Sequence, residues 1–106
     1  MRRSDDFTSV VRSGARSRRG CLVVHLERDL HADAPPQVGL IIGKTVGGSV
    51  VRHGVARRLR GQLSSRLSAL PDGAGVVVRA LPDAAVATSA RLGADFDAAL
   101  ERLLPR

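Results

Sequence analysis

Gly43-Lys44-Thr45 is the first place in this chain where residue types suggest chemistry, because such a triplet closes the phosphate-binding loop of many nucleotide hydrolases. That loop needs a second glycine five positions before the triplet's own, and the residue there is Val38, with Gly39 one residue too close. Leu40-Ile41-Ile42 reads as strand interior, not as a loop that wraps phosphate in backbone amides, so nucleotide hydrolysis is disfavoured. Metal and nucleophile chemistry fare no better. His25, His31 and His53 have no partners at ligand spacing. Cys21 is the single cysteine, which leaves no internal disulfide and no multi-cysteine zinc site. Asp95 and Asp97 stand two apart on a predicted helix and so point in different directions, and Asp5 and Asp6 read as charges at a helix start. No acid/base pair assembles, and catalysis by the protein itself is not expected.

The arginines point elsewhere. On a helical wheel counted from Val50, Val51, Val55, Leu59, Leu63 and Leu67 fall between about 100° and 260° and form the apolar side. His53, Arg57 and Arg60 lie at about 300°, 340° and 280°, a compact cationic arc beside it. Arg52, at about 200°, is placed to line a groove between helix and sheet, and Arg58, at about 80°, borders the other edge. Gly54, Gly61 and Ser64 keep the surface low enough for a bulky backbone to approach. A helix N-terminus adds amide donors and partial positive charge, both suited to phosphate. A solvated charged face is the alternative, but no acidic residue occurs between Ser49 and Ala69, which favours contact with nucleic acid.

These side chains need elements to hold them. Ser4 can cap a short first helix on which Phe7, Val10 and Val11 form one apolar face, and Gly14 is a natural stop. Residues 15–20 are basic, with room for a short edge strand, and lead into an apolar strand at 22–26. Residues 29–37, with Asp33, Pro35 and Pro36, read as a loop joining the strands at 22–26 and 38–42 into a hairpin. A glycine-rich turn at 43–48 precedes the long helix over 49–70, with Ser49 as its N-cap. A strand over 75–80, a loop over 82–88 and a last helix over 89–104 complete the chain.

The chain has 106 residues, enough for one domain spanning 1–106 with a modest core. At 43% hydrophobic it is too apolar for a disordered polycation. Its net charge is +7, and Lys44 is the only lysine among 17 basic residues. Arginine forks suit phosphate, although a GC-rich genome also inflates their number. Their distribution is more telling: residues 1–66 hold 13 basic and 5 acidic side chains, and residues 67–106 hold 4 and 5. No apolar run approaches a membrane span, and the Arg2-Arg3 pair has no apolar segment behind it, so a soluble cytoplasmic protein without membrane or small-molecule partners is expected.

Val38-Gly39-Leu40, Lys44, Val46-Gly47, Val50, Arg52, Arg57 and Arg60 together resemble the signature of the bacterial ribonuclease P protein subunit. Phe7-x-x-Val10-x-x-x-Gly14 resembles that family's first helix, and Val76-Val77-Val78-Arg79-Ala80 its fourth strand. The resemblance covers nearly the whole chain. It implies an α/β (α+β) two-layer sandwich, α-β-β-β-α-β-α, with a central mixed sheet and a left-handed β-α-β crossover, against the usual rule. It implies a noncatalytic subunit of an endoribonuclease, in which a catalytic RNA removes the 5′ leader of precursor tRNA. Magnesium would be held mainly by that RNA, with none bound by the protein alone. Lys44, Arg52, His53, Arg57, Arg58 and Arg60 would face the catalytic RNA, while Phe7, Val11 and His25 would line a cleft for the leader.

Several positions depart from the family pattern. His53 and Gly54 stand where the motif has Asn and a second Arg, and Gln37 replaces a common basic residue. The basic N-terminal arm is expected to be short, a late start codon being one explanation. With aromatics at 2%, base stacking in the cleft should be weak, and His25 serves as the substitute ring. A ribosomal-type RNA-binding protein or RNA chaperone on the same fold is the competing reading, and the Lys44-to-Arg60 signature argues against it. A stand-alone nuclease is disfavoured for want of a carboxylate cluster.

Overall fold

Apolar alternation in the strands and four-residue apolar spacing in the helices produce the elements of the computed structural model, which describes residues 4–31 and 33–104. The basic pair at the N-terminus and the Ser4 side chain lie outside the described residues. The order is α1 (Ser4–Ser13), β1 (Ala15–Arg19), β2 (Leu22–Glu27), β3 (Gln37–Ile41), α2 (Ser49–Ser64), β4 (Gly75–Ala80) and α3 (Ser89–Leu103). Short 3-10 turns occupy Leu67–Ala69 and Pro82–Val86. The sheet is mixed, in the order β1-β2-β4-β3, with β3 parallel to β4 and the other pairs antiparallel.

The expected hairpin across 29–37 does not form. The most apolar strand, β4, is inserted between β2 and β3, its first four residues all buried. The loop 28–36 is instead stitched to the turn that feeds β4. His31 N–H donates to Gly73 O at 3.0 Å, Gly73 N–H to Ala34 O at 2.6 Å, and Gln37 N–H to Ala74 O at 3.0 Å. A strand that is apolar on both faces gains most from a central place, and this displaces the local pairing.

Side-chain alternation sorts the sheet into two faces. Leu22, Val24 and Leu26 of β2 sit opposite Ala80, Val78 and Val76 of β4, and all six join the main core. That core is closed by Val55, Leu59 and Leu63 of α2 and by Leu92, Phe96, Ala99 and Leu100 of α3, which makes the sandwich. Val77, His25 and Val10 are buried but stand outside this cluster, on the second sheet face, where α1 packs against β2 and β4. Gly14 ends α1 where the chain is tightest, since a Cβ there would meet Val10 O at 2.5 Å and Leu26 O at 2.7 Å.

The long helix is shorter than its apolar periodicity predicts. Gly48, not Ser49, is the N-cap, and its side-chain-free cap leaves the first-turn amides uncapped by any side chain. At the far end Ser64 and Ser65 donate their hydroxyls back to Gly61 O and Gln62 O, both at 3.0 Å, and the helix gives way to the 3-10 turn. Val51 and Leu67, the ends of the predicted apolar row, are therefore exposed. The α2 C-terminus is fixed to α3 by Arg66, whose Nε and Nη2 donate to the two Asp97 carboxylate oxygens at 2.7 and 3.1 Å. Gly93 allows this approach, because a Cβ there would run into Arg66 and Gln62.

Candidate nucleic-acid interface

The turn between β3 and α2 places the first cation. Val46 is buried and its N–H donates to Gly43 O at 3.1 Å, which leaves Lys44 exposed at the tip. Gly47 then passes close over Val51, where a Cβ would sit at 2.9 Å from the valine side chain. The helix that follows buries Val55, Leu59 and Leu63, and its 3.6-residue period turns His53, Arg57 and Arg60 outward together. With Ala56 these three line one shallow depression of about 480 Å³. Gly61 opens onto free space beside it.

Two arginines on α2 are less free. Arg52 is half-buried, and its Nε is enclosed without a protein hydrogen bond. Arg58 reaches the 3-10 turn Pro82–Val86, where its Nη2 donates to Ala84 O at 3.4 Å and Ala85 O at 3.3 Å. Arg58 therefore braces the fold as well as adding charge. Among the described residues, no carboxylate pairs with Lys44, Arg52, His53, Arg57 or Arg60. The sequence contains no acidic residue at all from 34 to 71, so the turn and α2 add no negative charge of their own to this surface.

The second set lies under α1. Phe7 and Val11 are half-buried on that helix, and His25 lies on the sheet face it covers, only 4% exposed. Both His25 ring nitrogens are buried without a hydrogen-bond partner among the described residues. Burial, with the charges of Arg79 and then Arg16, pushes its pKa below the ordinary histidine range, so the ring is held neutral. A ring this enclosed has no free face for base stacking, so the expectation that His25 stands in for a larger stacking ring is not met: α1 covers it. Strand register supplies three cations that sequence reasoning missed: Arg16 stands opposite His25, and both Arg18 and Arg79 stand opposite Val23. The alternation of Arg16 and Arg18 around Ser17 was the available signal, a period of two hidden in a basic run.

The remaining titratable groups serve the framework. Asp6 is buried and its Oδ2 lies 3.0 Å from His31 Nε2, which ties α1 to the loop 28–36. Asp95 and Asp97 diverge, toward Cys21 and Arg66 respectively. Among the described residues no three His, Cys, Asp or Glu side chains converge to hold a metal.

Comparison with known proteins matches residues 1–104 to a family model described as Ribonuclease P. The "Ribonuclease P protein component" of Streptomyces bikiniensis is 53% identical over 111 residues, covering 98% of this chain and 90% of that one. The protein of the same description from Mycobacterium sp. (strain KMS) is 47% identical over 106 residues, covering 100% and 90%. Among solved structures, the RNase P protein of Staphylococcus aureus superposes with a TM-score of 0.83 at 19% identity, covering 96% of this chain and 92% of that one. The RNase P protein of Thermotoga maritima gives 0.82 at 16% identity, covering 99% and 97%. The two structures share the fold.

Proposed function

Since this chain belongs to the ribonuclease P protein family, we propose that it is the RNA-binding subunit of a tRNA-processing ribonucleoprotein whose RNA performs the cleavage. The α2 surface docks on the catalytic RNA. Lys44, His53, Arg57 and Arg60 meet its phosphates directly, Arg52 contributes from the groove, and Arg58 adds charge while bracing the helix. Magnesium belongs to the RNA partner. The cleft under α1, with Phe7, Val11 and His25, takes the single-stranded 5′ leader of precursor tRNA. The setting of such a reaction is the cytoplasm, and no helix among the described residues is long and apolar enough to cross a membrane.

The observation that carries this reading is the set of exposed cations on one helix face, unpaired among the described residues and within an acid-free stretch. Arginine forks at crowded phosphates relieve repulsion and release counterions, a gain that weakens steeply as salt rises. Arg57→Ala tests it directly. Affinity for the cognate catalytic RNA should fall, and the slope of log affinity against log salt should become shallower by about 1, the worth of one phosphate contact. An unchanged slope would show that Arg57 touches no phosphate.

A further inference from the structure

The sheet face under α1 continues past His25 to the open edge of β1. There Arg16 and Arg18, on either side of buried Ser17, join Arg102 and Leu103 of α3 to line a groove of about 380 Å³. All three arginines are exposed, and among the described residues none is paired with a carboxylate or a carbonyl. Glu101 is adjacent in sequence to Arg102 but exposed and unpaired with it. Glu27, the one carboxylate among the strand residues of that sheet face, stands two residues along β2 from His25, diagonal to Arg16, and accepts from Ser9 Oγ at 2.8 Å without pairing with Arg16. Three guanidinium groups around one groove repel one another, and an anionic occupant relieves that repulsion.

Position selects the occupant. Register sets Arg79 and Arg18 on either side of Val23, and Arg16 beside His25, so the cations run from the cleft to the edge of the sheet. Helix α3 packs on β1 and β2 and also on α2, which puts it between this groove and the α2 surface. The groove thus adjoins the sheet face that carries His25 and lies across α3 from α2. We propose that the β1-edge groove binds the sugar-phosphate backbone of the precursor's single-stranded leader where it leaves the cleft, so that nucleotides beyond the cleft add affinity. The inference rests on the leader reading above. Guanidinium contacts to phosphate carry no base readout, so this added affinity is indifferent to leader sequence.

The test uses holoenzyme reconstituted with wild-type or Arg18→Ala/Arg102→Ala protein, and precursor tRNAs with leaders that fill only the cleft or extend well beyond it. With wild-type protein, affinity should rise as the leader lengthens. The double variant should lose about 5- to 10-fold of that gain, and its salt slope on the long leader should fall by about 1.4, at 0.7 per single-strand phosphate contact. Arg18→Lys/Arg102→Lys, which keeps both charges, should retain most of the gain. The proposal is overturned if the double variant keeps the full gain or loses equally on both leaders. Weakened binding to the catalytic RNA alone would also overturn it, by assigning the groove to that partner. The leader reading itself fails in a different arm, if wild-type holoenzyme does not prefer leader-bearing substrate to leaderless tRNA.

Discussion

His25 places a polar ring where it has no partner, and that leaves a mark on stability as well as on RNA contact. Both nitrogens are buried and unbonded, between Arg16 and Arg79. An unsatisfied buried group costs about 1–3 kcal/mol. Because the folded pKa lies below the unfolded value of about 6.5, the unfolded chain takes up the proton first as pH falls. The stability tied to a neutral His25 is therefore complete above about pH 6.5 and is lost as pH drops below it. We expect His25→Leu to raise the melting temperature and to flatten its decline between about pH 7.5 and 5.5. Thermal melts across that range check this, and a variant with the wild-type pH profile would contradict it. At this scale the sequence was legible where one helix decides the outcome: His53, Arg57 and Arg60 do share a depression. It was not legible for the joining of Arg79 to Arg16 and Arg18, because their common face is set by the pairing of β2 with β4, which lie about fifty residues apart in the chain.

Between elements, the Gly20–Cys21 turn shows how the β1-β2 hairpin is fastened to α3. Cys21 N–H and Sγ–H both donate to Asp95 Oδ2 at 3.1 Å, and Arg91 Nε donates to the same oxygen at 3.1 Å. Gly20 has φ +55, and a Cβ on it would collide with the Asp95 carboxylate, so no other residue fits this turn without displacement. Burial, with the Asp95 hydrogen bond and charge, pushes the Cys21 pKa up to about 11, which keeps the thiol protonated and unreactive. Burial alone would raise the Asp95 pKa, but the donors from Cys21 and Arg91 outweigh it and hold it low. Its contribution is therefore present above the ordinary carboxylate range and is lost as pH falls below that range, through the depressed folded value. Asp95→Ala should cost about 1–3 kcal/mol and expose Cys21 to alkylation at neutral pH. Native-state thiol labelling measures this, and a thiol still protected in the variant would show that the carboxylate does not hold the turn. Strands and helices were legible here as local patterns, the first strand only as a short possibility. The false hairpin at 29–37 arose because β4, which claims the place between β2 and β3, is encoded some forty residues later.

Across the whole molecule, charge is divided by use. The acidic residues of the last third that lie on α3 are partly consumed internally, Asp95 with Arg91 and Asp97 with Arg66, while the cations of α2's outer face and of the β1 edge are left unpaired. The net of +7 is thus a surface property concentrated where the fold has no use for it. Composition alone conveyed the excess of positive charge, and the helical wheel conveyed its grouping on the outer face of α2. The edge groove needed the assembled sheet. On the function proposed above, the protein binds and positions RNA while the partner handles the reacting phosphate. The most direct measurement is cleavage of precursor tRNA by the cognate catalytic RNA at low magnesium, with and without the purified protein. The account predicts that the protein raises kcat/KM by about ten-fold or more, at least about 1.4 kcal/mol of transition-state stabilisation, and that it cleaves nothing by itself. A rate unmoved by the protein, or cleavage by the protein without RNA, would contradict it.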